Sequence, residues 1–294
     1  MNNTTPSVRS IQRGKPKIRL KMGNDFVFVN NVIRMNNLHT VCEEARCPNI
    51  YECWERRTAT IMILGDTCTR ACGFCSVKTG KPTWNDPLES VRAAQAVKQM
   101  NLRHVVITSV DRDDLRNDYG SRIWAETIKQ IRGEVPKCTI EVLTPDFKGS
   151  DIALDMVFCA NPDIFSHNVE CVERISRRVR NQANWQRSLS VLKKSVNFGL
   201  RTKTGMMVGL GETKEEVLKT MEEVAEIGVE IFTIGQYLQP TKNHIPVERY
   251  IGFEEFRSYH NRGLDLGFKV VESGPLVRSS YHADEHARLT IDVR

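Results

Sequence analysis

From Ala59 onward, short apolar runs alternate with longer amphipathic segments, and this alternation restricts the fold more than any other feature of the chain. Residues 59–64, 104–110, 139–143, 163–167, 202–208 and 231–237 read as strands, and 269–271 as a last extended segment. Between them lie helical patterns. The first opens at Asp86-Pro87-Leu88-Glu89, with an acid at the N-cap, proline at the first helical position and a stripe of Leu88, Val91, Ala94 and Val97. Others cover 121–131, 150–158, 185–196 and 253–266, and a capping box at Thr213 and Glu216 opens one that runs to Gly228. Six βα units in succession imply parallel strands with right-handed crossovers. An open doubly wound sheet and a barrel both satisfy that pattern. Residues 1–58 and 276–294 flank the alternation and are expected to be appendages.

The 294 residues are enough for a parallel barrel of ~250 residues. A 40% hydrophobic and 27% charged composition excludes wholesale disorder. The apolar runs are short, Ile61 to Leu64 being typical, and none approaches the ~18 residues of a membrane span. The N-terminus lacks the apolar core of an export signal, so a cytoplasmic location is expected. Charge is informative by position. Arg9, Arg13, Lys15, Lys17, Arg19 and Lys21 precede the first acid, Asp25, and the remaining 36 bases equal the 36 acids. The whole excess of +6 thus sits on a short arm. Three readings of it stand: a handle for an acidic partner, an idle solvated tail, and a short organellar transit segment. The balanced remainder offers no basic groove, so neither nucleic acid nor membrane is an expected partner.

Nine cysteines are too few for a disulfide scaffold. Cys138, Cys159 and Cys171 are scattered among apolar neighbours and read as plain buried side chains. The other six fall between residues 42 and 75. Cys68-Thr-Arg-Ala-Cys72-Gly-Phe-Cys75 begins four residues after Leu64, at the strand end where parallel α/β folds carry their active sites. Three thiolates so close suit three corners of a [4Fe–4S] cube, leaving one iron open to another donor. A zinc site, which ordinarily takes four ligands from two pairs, is the alternative. Cys42-Glu-Glu-Ala-Arg-Cys47-Pro-Asn-Ile-Tyr-Glu-Cys53 is a second triad without a local fourth ligand.

The CxxxCxxC segment resembles the signature of the radical S-adenosylmethionine superfamily, and the resemblance covers roughly residues 59–271. Taken with the second triad and Arg278-Ser279-Ser280-Tyr281-His282-Ala283, it extends to the lipoyl synthase family from end to end. The resemblance implies an α/β fold, a partial (β/α)6 barrel with N- and C-terminal extensions over its mouth. It divides the chain into a basic arm and auxiliary-cluster extension at 1–58, the barrel at 59–275, and a tail at 276–294. It also implies two [4Fe–4S] clusters and S-adenosylmethionine as cofactors. One cluster, on Cys68, Cys72 and Cys75, cleaves that cofactor to a 5′-deoxyadenosyl radical. The other, on Cys42, Cys47, Cys53 and a serine, is the sulfur donor and is consumed. Ser280 is the expected serine, with Ser279 the alternative. The implied reaction inserts sulfur at C6 and C8 of an octanoyl group on a carrier lysine, where unactivated C–H bonds defeat acid–base chemistry. Implied partners are lipoyl carrier domains, namely the E2 subunits of 2-oxoacid dehydrogenases and the glycine cleavage H protein, and a ferredoxin or flavodoxin as electron donor.

Contacts to the cofactor rest on weaker patterns. Gly205, Gly209 and Gly211, with Glu212, end one strand and precede a helix, which suits close approach of a nucleoside or a plain turn. Asn168 and Glu170 follow a strand end and suit the ribose or amino-acid moiety, while His167 between them reads as structural. Thr108 begins Thr108-Ser-Val-Asp111-Arg-Asp-Asp114, whose acids suit an ammonium or ribose unless they are simply solvated. Arg178 and Arg180 suit a carboxylate or a charged helix face.

Overall fold

A computed structural model describes residues 22–83 and 86–291, so the six bases of the arm, with Ile18 and Leu20, lie outside the described residues. Along the chain the strands are β1 (His39–Thr40), β2 (Thr60–Ile63), β3 (Thr67–Cys68), β4 (Lys78–Thr79), β5 (His104–Ser109), β6 (Thr139–Leu143), β7 (Ile164–Ser166), β8 (Thr202–Val208), β9 (Ile231–Gln236) and β10 (Val270–Gly274). Eight form one sheet in the order β1-β2-β5-β6-β7-β8-β9-β10. Every adjacent pair from β2 to β10 is parallel, as successive crossovers require. The extra strand β1 lies antiparallel along β2, with His39 opposite Met62. Thr60 of β2, Gly205 of β8 and Gly235 of β9 all face residues 277–280. Strands far apart in the order therefore surround one segment, so the sheet curls into a partial barrel, and no ladder joins its two edges among the described residues.

The outer layer is α4 (Glu89–Gln99), α5 (Ser121–Glu134), α6 (Asp151–Cys159), α8 (Trp185–Phe198), α9 (Lys214–Ile227) and α10 (Phe253–Asp265), with a short α7 (Glu173–Val179) in the loop after β7. These arise where the helical period places them. Both halves of the Thr213/Glu216 capping box form, and α8 and α9 end on Gly199 and Gly228 at φ 90° and 95°. No helix among the described residues is long and apolar enough to cross a membrane.

Three expectations are corrected. First, α4 starts at Glu89 rather than just after Asp86: Asp86 caps the Leu88 N–H at 2.9 Å, and Leu88 is exposed rather than part of the stripe. Glu89 turns inward instead, accepting from the Leu64 and Gly65 N–H groups. That carboxylate steadies the turn after β2, where both residues have positive φ. Second, Cys138 and Cys171 are buried as expected, but Cys159 at the end of α6 is exposed. Third, the extensions do not cover the mouth. The N-terminal helices α1 (Asn24–Met35), α2 (Val41–Glu44) and α3 (Ile50–Glu55) belong to the edge that β1 adds beside β2. The C-terminal helix α11 (Ala283–Ile291) plugs the opposite end: its Ala287 packs on Ile164, Ile231 and Val270, the first residues of β7, β9 and β10. A tail that ends at the barrel floor must first cross the interior, and residues 277–282 do so.

Candidate active site: two cysteine triads joined by the tail

The Cys68–Cys75 loop springs from the C-terminal end of β2 and is closed at its base by the two-stranded β3–β4 pair, with Cys68 opposite Thr79. Gly73 is clamped on both sides: its N–H donates to Val179 and its carbonyl accepts from Ile245. A Cβ there would sit 2.7 Å from the Ile245 side chain, which would have to shift to admit it. His244 Nε2 meets the Cys75 carbonyl at 3.0 Å. The Arg70 and Asp111 amides both donate to the Cys68 sulfur at 3.4 Å.

Behind Cys68, Arg70 is buried and bound by three carboxylates: Asp113 through two bonds of 2.9 Å, Asp146 at 2.6 Å and Asp111 at 3.1 Å. Asp114 instead pairs with Arg112 through two 2.8 Å bonds. Asp111 and Asp113 are thus held by Arg70, which locks this loop to the cysteine loop, while Asp114 is exposed and pairs within its own loop. Desolvation lifts the Asp111 carboxyl to about 6 against the pull of Arg70. The Thr108 hydroxyl is likewise engaged, donating to the Leu143 carbonyl at 2.9 Å.

Asn168 and Glu170 sit beside this loop. Glu170 (φ 67°) bridges to Met206 of β8, and its charge reaches Cys72 and Cys75. Burial raises its own carboxyl, with Arg180 and Asn168 opposing. Asn168 donates to Glu170 and to Ser279. Arg180 is buried, not on a charged face, and donates to the Asn168 carbonyl at 3.3 Å. Asn168 Oδ1 and Arg180 Nη2 are buried without a partner among the described residues, an acceptor and a donor on two residues that touch each other. Such a pair suits an amino acid's ammonium and carboxylate. His167 is structural, bonded to the Thr144 carbonyl and the Ser188 hydroxyl, with burial lowering it to about 4. Glu212 serves its own turn, accepting from the Gly209 and Leu210 amides. Gly209 is at φ 97°, and a Cβ there would stand 2.6 Å from the Arg249 carbonyl. Arg178 is half-exposed and donates to the Leu210 carbonyl.

The second triad lines one cavity together with Thr60, His104, Val106, Arg278, Ser280, Tyr281 and His282. Thr60 donates to Ser280 Oγ at 2.8 Å, whereas Ser279 is turned the other way, toward Asn168 and Gly205. Adjacent serines of the tail therefore face different triads. Asn49 holds the approach to this segment through the Leu276 carbonyl at 2.7 Å, and the Tyr281 hydroxyl reaches Glu52.

The six sulfurs form two separate electrostatic groups. Burial, then Cys47, pushes the Cys42 thiol up to about 12. Burial, then Cys42 and Cys47, raises Cys53, and burial raises Cys47 with Arg278 opposing. In the other group burial, with Cys68 among the neighbours, lifts Cys75 to about 11, and Cys72 and Cys68 rise for like reasons. Burial raises Cys138 and Cys171 as well; what sets the six apart is their grouping in threes, which suits a cationic centre that favours the thiolates. Three sulfurs per group fit three corners of a [4Fe–4S] cube. Among the described residues no three such side chains close to the spacing of a single ion.

The radical SAM superfamily model matches residues 62–224. The chain is 55% identical to a lipoyl synthase of Rubrobacter xylanophilus over 93% of this chain and 87% of that one. It is 48% identical to a mitochondrial lipoyl synthase of Nematostella vectensis over 97% and 99%. The chain belongs to the lipoyl synthase family. Its fold is that of radical SAM enzymes: Streptococcus suis SuiB bound to S-adenosylmethionine superposes with TM-score 0.58 at 10% identity over 77% of this chain and 54% of that one. Methylornithine synthase PylB gives 0.55 at 11% identity, over 83% and 82%.

The cysteines, the serine and Arg278 stand in motifs that the sequence displays, but Thr60 and the carboxylate cage of Arg70 were missed. Arg70 carried a signal, since a cation between two closely spaced cysteines needs anions once it is buried, and Asp111 and Asp113 lie in the next βα loop. Thr60 carried none, because its partner is 220 residues away.

Proposed function

We propose that this lipoyl synthase inserts two sulfur atoms, at C6 and C8, into an octanoyl group borne on a carrier-protein lysine. What supports the reading most is the tail: Ser279 bonds Asn168 on the Cys68–Cys75 side, while Ser280 lines the Cys42–Cys53 cavity. In this reading Cys68, Cys72 and Cys75 hold a [4Fe–4S] cluster with an open iron, and Asn168, Glu170 and Arg180 bind the amino-acid end of S-adenosylmethionine. The pair supplies, when bound, a 5′-deoxyadenosyl radical able to take hydrogen from an unactivated carbon. Cys42, Cys47, Cys53 and Ser280 hold the sulfur-bearing cluster that is consumed as co-substrate. Serine oxygen is a poorer match to iron–sulfur chemistry than thiolate, so Ser280 is the ligand suited to release.

The chain's own residues keep the path between the triads dry and narrow. Gly205 and Gly235 let the tail lie directly on the strands, and the acyl chain runs along that tail. Asp111, Asp113 and Asp146 are paired with Arg70, Lys148 and Arg187, which leaves Glu170 as the carboxylate beside Cys72 and Cys75. Octanoylated lipoyl domains are the macromolecular substrates, and a ferredoxin or flavodoxin supplies the electrons.

The test is an anaerobic assay of reconstituted protein with an octanoylated carrier peptide. Replacing Cys68, Cys72 and Cys75 with alanine should abolish 5′-deoxyadenosine formation. Replacing Cys42, Cys47 and Cys53 should leave that product detectable while ending lipoyl formation. Lipoyl product from the second variant would show the donor assignment to be wrong.

A further inference from the structure

We propose that Thr60 is a positioning residue for the sulfur-donating centre, its hydroxyl holding Ser280 as the oxygen ligand. The proposal rests on the reading of Ser280 as that ligand. Thr60 is the first residue of β2 and is 4% exposed, so its side-chain hydroxyl is taken out of water and must find its partner inside the protein. That partner is Ser280 Oγ, 2.8 Å away, with Thr60 donating. The main chain of the same residue also bears on the triad, easing ionisation of the Cys42 thiol. One residue thereby joins a ligand of the N-terminal triad to the serine of the C-terminal tail, and all three line the same cavity.

The support is rigid. Thr60 is paired in the parallel ladder with Val106 of β5, while β1 lies along the next residues of β2. A ligand hung on a strand keeps its place better than one hung on a loop. Ser280 needs that help, since it stands on an irregular segment before α11 and has no strand or helix of its own. The direction of the bond also matters. Because Thr60 donates, the serine oxygen keeps lone-pair density for a metal, and a donor bond supports the charge an oxygen ligand carries. Valine, of like shape, would fill the same space without holding the serine.

Partners that orient a metal ligand are typically worth roughly 10–100-fold in metal affinity. The test uses the full-length chain with Cys68→Ala, Cys72→Ala and Cys75→Ala, so that only the second cluster is loaded, with ⁵⁷Fe. Iron content, Mössbauer spectra and the rate of first-iron release to the chelator ferrozine are read for five proteins. These are this parent, Thr60→Val, Thr60→Ser and Ser280→Ala, with Thr60→Val also made on top of Ser280→Ala. Thr60→Val should load normally and lose its first iron roughly 10–100-fold faster. It should share the altered Mössbauer signature of Ser280→Ala, and Thr60→Ser should behave as the parent. With Ser280→Ala already present, Thr60→Val should add nothing. Parent-like release by Thr60→Val alongside fast release by Ser280→Ala overturns the role of Thr60 and leaves Ser280 as the ligand. A parent-like spectrum and rate for Ser280→Ala overturns the ligand reading itself. If Thr60→Val impairs loading equally with and without Ser280→Ala, Thr60 is a packing residue and the proposal fails.

Discussion

Gly235→Ala separates the tail's position from the chemistry on either side of it. Gly235 lies in β9 with an ordinary strand φ, so alanine is acceptable to its own backbone and would by itself stabilise the fold by about 0.4–1 kcal/mol. The new methyl, however, would stand 2.1 Å from the Val277 carbonyl oxygen and 3.0 Å from its carbon. Relieving the oxygen contact to an ordinary carbon–oxygen distance requires a shift of about 1 Å, and the atoms that must move are backbone. Ser279 and Ser280 follow within three residues and would be carried along. A misplacement of about 1 Å costs on the order of 10²-fold in rate when a reacting group is displaced. Gly205→Ala is the internal comparison, because its closest contact, 2.3 Å, is the Thr233 hydroxyl, a side-chain atom rather than backbone. The assay is product formation under anaerobic single-turnover conditions, with 5′-deoxyadenosine measured in the same tubes. Gly235→Ala should lose about 100-fold in lipoyl product while radical generation falls far less, and Gly205→Ala should be milder. Full product yield from a folded, cluster-loaded Gly235→Ala protein would refute the claim that the tail's seat on β9 sets the ligand serine.

Lys203→Met leaves Glu141 buried and uncompensated, since the two are fully buried and joined by bonds of 2.9 and 3.0 Å; the loss should be about 3–5 kcal/mol by urea denaturation. Adding Glu141→Leu should recover most of it, and a single-variant loss under about 1 kcal/mol would contradict the pairing. Ser280→Cys should assemble a second cluster that releases iron more slowly and makes less product; unchanged turnover would move the ligand role elsewhere. Deleting residues 1–22 should raise KM for an intact acidic carrier domain more than for an octanoyl-lysine peptide. Added salt should narrow that difference, because exposed charges act over ~8 Å at physiological ionic strength. Charge reversal at Arg9, Arg13 and Lys15 with no effect across the salt series would leave the arm without a steering role.

The barrel strands were legible because each is a local event: Ile61, Ile107 and Ile140 sit in short apolar runs bounded by polar turns, and each run became a parallel strand. The triads were legible because the three cysteines of each lie close in sequence. The start of α4 was not, since Glu89 answers to Leu64 and Gly65 rather than to its own helix. The strand β1 is two residues long and exists only as a partner to β2, so no period announces it. The path of the tail was invisible for a related reason. Arg278-Ser279-Ser280 carries no apolar pattern, and its course is set by Gly235, Gly205 and Thr60, on strands far away in sequence. Cys159 shows the limit of composition: apolar neighbours in α6 placed Val157 and Phe158 inside and turned the next residue out.

The central claim is that the Cys42, Cys47, Cys53 and Ser280 site delivers the inserted sulfur. The most direct measurement is mass spectrometry of one turnover on an octanoylated peptide by protein reconstituted with ³⁴S-sulfide and then freed of it. The account predicts lipoyl product carrying two heavy sulfurs from the wild-type chain. With Cys42→Ala, Cys47→Ala and Cys53→Ala it predicts no labelled product, although 5′-deoxyadenosine still forms. Light sulfur in the wild-type product, or heavy sulfur in product from the triple variant, would contradict it.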